Sequence, residues 1–229
     1  MCNRYLTLTA FLIALLVTGC ATPTKMAFQN DSNSIPSDMK PVLLMTVTLK
    51  NAYKTSYQPN LQFVQVEKKD AKNKIDRLNF AVDEKAISGT GTAETGNSYF
   101  IRMELENGEY VIRGLAGTSN SLMVYGSFFA PLHVDTNSSG TGVFYLGHVA
   151  ATVRERKDGE FKAGPSIPLL DQAVTGFSGG TFEVEISDQF EKDIADFKAR
   201  FPALSSVAIQ KAILPSFDRA KAQKWWEEH

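Results

Sequence analysis

Two histidines and one aspartate are the residues of this sequence whose types and spacing come closest to a site for chemistry. His133 and Asp135 are two residues apart, so on a β-strand their side chains point to the same face. His148 follows on a second predicted strand. If the two strands are neighbours, the three side chains could bind a metal ion or form an acid–base site. The alternative is three half-exposed polar residues near strand ends.

Motifs for other kinds of catalysis are absent from the sequence. It lacks the Gly-x-Ser-x-Gly elbow of hydrolases, the His-Glu-x-x-His pair of zinc proteases and the phosphate-binding loop of nucleotide hydrolases. A hydrolase would have to use His133 and His148, with no elbow to expose its nucleophile. We therefore predict a protein that is not an enzyme and needs no cofactor. An envelope metal-binding protein or hydrolase using His133, Asp135 and His148 is the alternative.

The adjacent residues Trp225 and Trp226 are candidates for contact with a partner. Neighbouring side chains on a helix point about 100° apart, so a narrow apolar stripe cannot bury both. One tryptophan could pack while the other contacts a partner or a membrane interface, where tryptophan is favoured. The alternative is that both pack in the core.

Charged side chains of both signs fill residues 67–77, which begin at Glu67 and end at Arg77. This run could contact anionic headgroups or an acidic polymer, although its acids cancel much of its positive field. The alternative is a solvated loop between strands.

The amino terminus has the pattern of a secretory signal peptide. Arg4 is the only charge before residues 6–17, which are uncharged and largely apolar. This stretch is shorter than the roughly 20 residues that a membrane-spanning helix needs. A basic head, a short apolar stretch and small residues at its end are typical of signal peptides, and we predict one over residues 1–19.

Residues 17–20, Val-Thr-Gly-Cys, resemble the lipobox of bacterial lipoproteins. The resemblance implies cleavage before Cys20, a diacylglyceryl group on its sulfur and acylation of its amine. Ala21 rather than Asp follows, which in Gram-negative lipoproteins favours the outer membrane. We therefore expect a lipid-anchored envelope protein that faces the periplasm or the surface. The alternatives are a plain signal peptide with a coincidental cysteine, or a buried core cysteine.

Composition favours a folded globular chain without nucleic-acid binding. The 229 residues are 43% hydrophobic and 21% charged, with a formal net charge of −1. This balance gives no long-range attraction for nucleic acid. After cleavage Cys20 would be the only cysteine, so neither an intramolecular disulfide nor a multi-cysteine zinc site could form.

Hydrophobic periodicity divides the mature chain into three parts. Residues 20–41, rich in Ser, Thr, Asn and Pro, are predicted to be the lipidated cysteine and a flexible tether. Residues 42–187 alternate apolar and polar side chains, which predicts an antiparallel β-sandwich. Residues 188–229 have helical spacing and are predicted to form two or three short helices, over 188–201, 205–214 and 219–228.

Turn signals predict two hairpins within the strand region. Asn107 and Gly108 separate two alternating runs, which is a strong short-range hairpin signal. Asp158 and Gly159 predict a second hairpin, which would join residues 143–156 to residues 161–167.

The segments 105–112 and 143–149 resemble domains of uncharacterised bacterial lipoproteins that have a prealbumin-like sandwich. The resemblance covers residues 42–165 and implies a fold and a location, without a reaction or functional residues. Together these observations predict a membrane-anchored envelope lipoprotein, a non-catalytic binding or accessory module for an envelope protein or glycan.

Overall fold

Within the residues that the structure describes, alternating apolar residues form the strands, and α-helices appear only after residue 187. The structure is a computed structural model that describes residues 23–29, 39–89, 91–121, 123–165 and 171–228. The predicted signal peptide and Cys20 lie outside these residues. The described chain is mainly β, with two sheets and two α-helices.

The element bounds are as follows. The strands are β1 (Pro23–Thr24), β2 (Val42–Asn51), β3 (Asn60–Lys68), β4 (Arg77–Ala81), β5 (Ile87–Gly89), β6 (Asn97–Glu104), β7 (Gly108–Ser121), β8 (Val124–Ser138), β9 (Val143–Glu155), β10 (Gly180–Ser187) and β11 (Ile209–Lys211). The helices are α1 (Phe190–Arg200) and α2 (Arg219–Glu228).

The strands form two sheets of mixed direction. The first sheet has the order β1-β4-β3-β7-β8, and the second has the order β10-β9-β2-β6-β5, with β11 also beside β9. The pairs β2–β9, β1–β4 and β11–β9 are parallel, and the other pairs are antiparallel. The expectation of antiparallel pairing therefore fails at these three pairs, because alternation of apolar residues does not encode strand direction.

Both predicted hairpins are wrong. β6 belongs to the second sheet and β7 to the first, so Asn107 and Gly108 join the two sheets. Leu105 and Tyr110 are both buried in the shared core, and a crossover satisfies the alternating pattern as well as a hairpin does. β9 pairs with β10, while residues 161–165 form no strand.

Apolar side chains from both sheets form one core. It contains Leu43 and Met45 of β2 together with Val64 of β3 and Leu132 of β8. The opposite face of β2 contributes Leu44 to a second cluster, which α1 covers with Phe197. The ring centroid of Phe197 lies 5.0 Å from that of Phe100 on β6. The second sheet is therefore covered on both faces over part of its area.

Two predictions from local composition do not match the structure. Residues 23–29 belong to the tether predicted over residues 20–41, but Pro23–Thr24 pairs with β4 and Met26 is buried in the core. The helix expected over residues 205–214 does not form, and β11 lies there instead, beside Val143 on β9. In both places contacts with distant strands outweigh local preference.

Candidate ligand-binding cleft

The last helix, α2, is fixed along strand β8 at the edge of the first sheet. Asp218 caps the start of α2, because its Oδ1 accepts a hydrogen bond of 2.9 Å from the backbone N–H of Lys221. The ammonium of Lys221 lies 3.0 Å from a carboxylate oxygen of Asp135 on β8. Ala222 is fully buried. These contacts set which side of α2 faces the sheet.

The segment 157–165 is tied to α2 and forms the opposite wall. The side chain of Gln223 accepts a 2.7 Å hydrogen bond from the backbone N–H of Phe161 and donates one of 2.8 Å to the carbonyl of Gly159. Arg219 lies 2.9 Å from Glu160. Hydrogen bonds from Arg154 are the main cause that lowers the pKa of Glu160 to about 2, so this carboxylate stays charged near neutral pH.

A cleft of about 530 Å³ lies between α2, this segment and the face of the first sheet. We call it the tryptophan cleft. It is lined by Gln65, Arg113, Phe129, Pro131, Phe161, Lys162, Ala163, Gly164, Pro165, Trp225 and Trp226. Its volume is within the range of small-molecule sites, and its lining of aromatic rings with a few polar groups is typical of them.

The two tryptophans have different environments. Trp225 packs against the sheet, with its ring centroid 5.6 Å from that of Phe129. The guanidinium carbon of Arg113 lies 5.1 Å from the Trp225 ring centroid, in a cation–π contact. Trp226 keeps 36% of its surface exposed. The alternative in which both tryptophans pack in the core is therefore not observed, and Trp226 remains available to a ligand.

His133 and Asp135 take part in holding α2 in place. His133 is 6% exposed, and its ring centroid lies 4.6 Å from that of Trp225. Asp135 pairs with Lys221, as described above. Both residues therefore support the wall of the tryptophan cleft.

His148 lies in a different sheet from His133. It is on β9 of the second sheet, whereas β8 is the edge strand of the first. The described residues contain no group of three or more His, Cys, Asp or Glu side chains that could hold a metal ion. The predicted site of His133, Asp135 and His148 is therefore not assembled, because consecutive strands β8 and β9 do not pair.

His148 instead belongs to a polar cluster beneath the first turn of α1, which we call the Asp193 cluster. The Thr46 hydroxyl donates a short hydrogen bond to a carboxylate oxygen of Asp193. His148 Nδ1 lies 2.8 Å from the same hydroxyl oxygen, and donates to it because the single hydroxyl hydrogen is already used. Tyr145 also donates to Asp193, at 2.5 Å.

The sequence reasoning missed Asp193, although a signal was present. Asp193 is three residues after Phe190 and four before Phe197, which places it on the apolar stripe of α1. It is 1% exposed. Burial, reinforced by the hydrogen bond to Asp193, raises the pKa of Tyr145, so its hydroxyl remains a donor.

Protonation of His148 is expected to destabilise the protein as the pH falls. Burial lowers the pKa of His148 in the folded protein, although Asp193 opposes the shift, and the unfolded chain has a pKa of about 6.5. Between these two pKa values only the unfolded chain binds the proton, so the free energy of unfolding falls as the pH drops below about 6.5.

The His148→Asn variant keeps a donor near the position of Nδ1 and removes the titration. In thermal melts from about pH 7.5 to about pH 5.5, the Tm of the wild type should fall by more than that of the variant. Parallel pH profiles would contradict the assignment of this dependence to His148.

No protein-family model, curated protein or solved structure matches this chain. Of the helices that the structure describes, none is long and apolar enough to span a membrane.

Proposed function

We propose that this protein is a membrane-anchored envelope lipoprotein that acts by binding, without catalysis, and that the tryptophan cleft is its binding site. The resemblance of residues 17–20 to a lipobox supports the anchor. One core built from both sheets supports a β-sandwich body, with α1 and α2 as a helical carboxyl-terminal segment. The main support for a binding role is the cleft itself, which the partly exposed Trp226 lines.

A glycan suits this cleft better than a protein partner does. The faces of sugar rings are patches of C–H bonds, which pack on aromatic rings, and sugar hydroxyls bond to amide and guanidinium groups. The cleft offers both kinds of contact, from Trp226 on the one hand and from Gln65 and Arg113 on the other. It is also concave, whereas protein interfaces of ordinary size need a broader surface.

Tryptophan fluorescence gives a direct test, because Trp225 and Trp226 are the only tryptophans of the chain. Soluble fragments from an enzymatic digest of bacterial peptidoglycan should change the emission of the full-length protein in detergent. Trp226→Ala should lower the affinity roughly ten-fold, as expected when an aromatic contact is removed from a binding site. Its Tm should stay close to that of the wild type, because Trp226 is 36% exposed.

The matched control is Met123→Ala, which removes another exposed apolar side chain, one that does not line the cleft. It should bind the fragments as the wild type does. If no fragment changes the emission of the wild type, or if both variants bind equally well, the cleft is not the binding site.

The anchor is tested by labelling cells with palmitate and comparing the wild type with Cys20→Ala. Label and membrane association should be present in the wild type and lost in the variant. An unlabelled, soluble wild-type product would show that Cys20 is not lipidated.

A further inference from the structure

A second cavity lies next to the tryptophan cleft on the face of the first sheet. It encloses about 330 Å³ and is lined by Gln65, Val66, Glu67, Arg77, Leu78, Asn79 and Arg113. We call it the Arg77 cavity. Gln65 and Arg113 line both cavities, so these two side chains stand between them.

Strand register explains why the two cavities are adjacent. Gln65 on β3 lies opposite Asn79 on β4, and Glu67 lies opposite Arg77. β7 and β8 follow β3 in the sheet and carry Arg113 and the cleft residue Phe129. Four strands at the usual spacing span roughly 14 Å between the outer two. A groove of this length accommodates more than one sugar ring in a row.

The chemistry changes along this groove. Its α2 end is aromatic, with Trp225 and the more exposed Trp226, whereas its β4 end carries the polar groups of Asn79 and Arg77. A guanidinium group binds a carboxylate with two parallel hydrogen bonds, and an amide group can donate to and accept from hydroxyls. A ligand that fits both ends needs apolar ring faces as well as many oxygens along its length.

The charge of the groove favours an anionic ligand. Glu67 is the only acidic residue among the described residues that line it, and the guanidinium groups of Arg77 and Arg113 both lie beside it. Arg113 lies 2.6 Å from Glu67, and Arg77 lies 3.5 Å from the same carboxylate. One carboxylate shared by two guanidinium groups leaves a net positive charge, and 62% of the Arg77 side chain is exposed to a ligand.

We infer that the tryptophan cleft and the Arg77 cavity form one groove that binds a linear acidic oligosaccharide, with a sugar ring on Trp226 and a sugar carboxylate at Arg77. This inference rests on the proposed function, because it names the ligand class of the same site. It gives part of the mixed-charge run 67–77 a role, since its first and last residues, Glu67 and Arg77, line the groove.

The test titrates the full-length protein with saccharides of two lengths and two charges, followed by tryptophan fluorescence and calorimetry. The acidic probes are the disaccharide and hexasaccharide of galacturonic acid, and the neutral probe is cellohexaose. The acidic hexasaccharide should bind most tightly, about ten-fold more tightly than cellohexaose, and this preference should shrink as salt is added.

Arg77→Ala should weaken binding of the acidic hexasaccharide about three- to five-fold, as expected for an exposed charge contact. It should leave binding of the disaccharide unchanged, because a disaccharide occupies the tryptophan cleft alone. The control is Lys69→Ala, which removes an exposed cation that pairs with Glu109 and lines neither cavity. This control should bind both probes as the wild type does.

The outcomes separate the inference from the proposed function. If the saccharides bind with affinities that depend neither on length, nor on acidity, nor on Arg77, the site is the tryptophan cleft alone and the inference is overturned. If no saccharide and no peptidoglycan fragment binds, the glycan-binding function itself fails. If no saccharide binds and a protein ligand binds at Trp226 instead, protein binding replaces both the inference and the glycan-binding function.

Discussion

Replacing Asp83 with Ala is expected to lower the free energy of unfolding by about 3–5 kcal/mol, because the change leaves a buried cation without its counter-charge. The Arg102 side chain on β6 is fully buried, and its Nη2 lies 2.5 Å from a carboxylate oxygen of Asp83. Burial lowers the pKa of Arg102, with Asp83 opposing the shift, yet an arginine stays charged in any protein environment.

Arg102 makes further contacts that join three segments of the chain. Its Nε donates a 2.9 Å hydrogen bond to the carbonyl of Ala27, and its Nη1 donates one of 2.9 Å to the carbonyl of Phe100. The guanidinium lies 4.4 Å from the ring centroid of Phe201, just after α1. Loss of the Asp83 carboxylate should therefore loosen the amino-terminal segment 23–29 and the end of α1 together.

Urea unfolding measures this effect, with Glu84→Ala as the control at a neighbouring exposed acid. The control should stay within about 0.5 kcal/mol of the wild type. Asp83 also accepts a hydrogen bond from the backbone N–H of Ala86, so Asp83→Asn, which keeps that acceptor, separates loss of charge from loss of the cap. Adding Arg102→Met to Asp83→Ala should restore part of the stability.

An Asp83→Ala variant no less stable than Glu84→Ala would contradict this account. It would show that the backbone carbonyls of Ala27 and Phe100 suffice to hold the guanidinium.

The mainly β character could be predicted from the sequence, but the pairing of strands could not. Alternation around Tyr99 and Tyr110 indicates two strands, and both residues are buried in the shared core. Whether such strands pair or separate into two sheets depends on contacts with residues far along the chain. β2 lies between β6 and β9, which are dozens of residues away, and nothing local to Val47 encodes that position.

Arg102 shows a second limit of the alternating pattern. Its place between Ile101 and Met103 predicts an outward polar residue. The outward face of β6 is covered here by the amino-terminal segment and by Phe201, so the side chain is buried instead. Alternation tells which face of a sheet a residue occupies, and it does not tell whether another element covers that face.

The candidate site could be predicted only in part. The adjacency of Trp225 and Trp226 indicates that one helix presents two aromatic directions, and the structure places one against the sheet and one at the cleft. Gln65, Arg113 and Phe161 join them from three distant segments. The type of a single polar or aromatic residue does not indicate that it will meet residues from distant segments in one cleft. The spacing of His133 and Asp135 predicts metal or acid–base chemistry, but in the structure both residues contact α2 and hold it in place.

Asp193→Ala is expected to lower the free energy of unfolding by about 2–4 kcal/mol. The carboxylate accepts hydrogen bonds from Tyr145 and Thr46, and these three residues are at most 7% exposed. A buried donor left without its acceptor costs about 1–3 kcal/mol. The Asp193→Ala change removes the acceptor of two hydroxyl groups, those of Thr46 and Tyr145. Part of this loss is offset, because the variant no longer buries a carboxylate.

Asp196→Ala is the matched control, because it removes a carboxylate from the same helix that also pairs with Lys192 but is 49% exposed. It should change stability by less than about 0.5 kcal/mol. Hydrogen exchange should show the amides of α1 opening first in Asp193→Ala, while the shared core keeps its protection.

A double-mutant cycle that combines Asp193→Ala with Tyr145→Phe tests whether the hydrogen bond between these two side chains holds α1 in place or whether apolar packing alone does so. If Asp193 holds α1 to β9 through the Tyr145 hydroxyl, the two changes together should cost less than the sum of each alone, by about 1 kcal/mol or more. Additive effects would mean that the apolar contacts of Phe197 with Phe100 fix the helix by themselves. The Asp193 cluster would then be a buried set of hydrogen bonds that does not position α1.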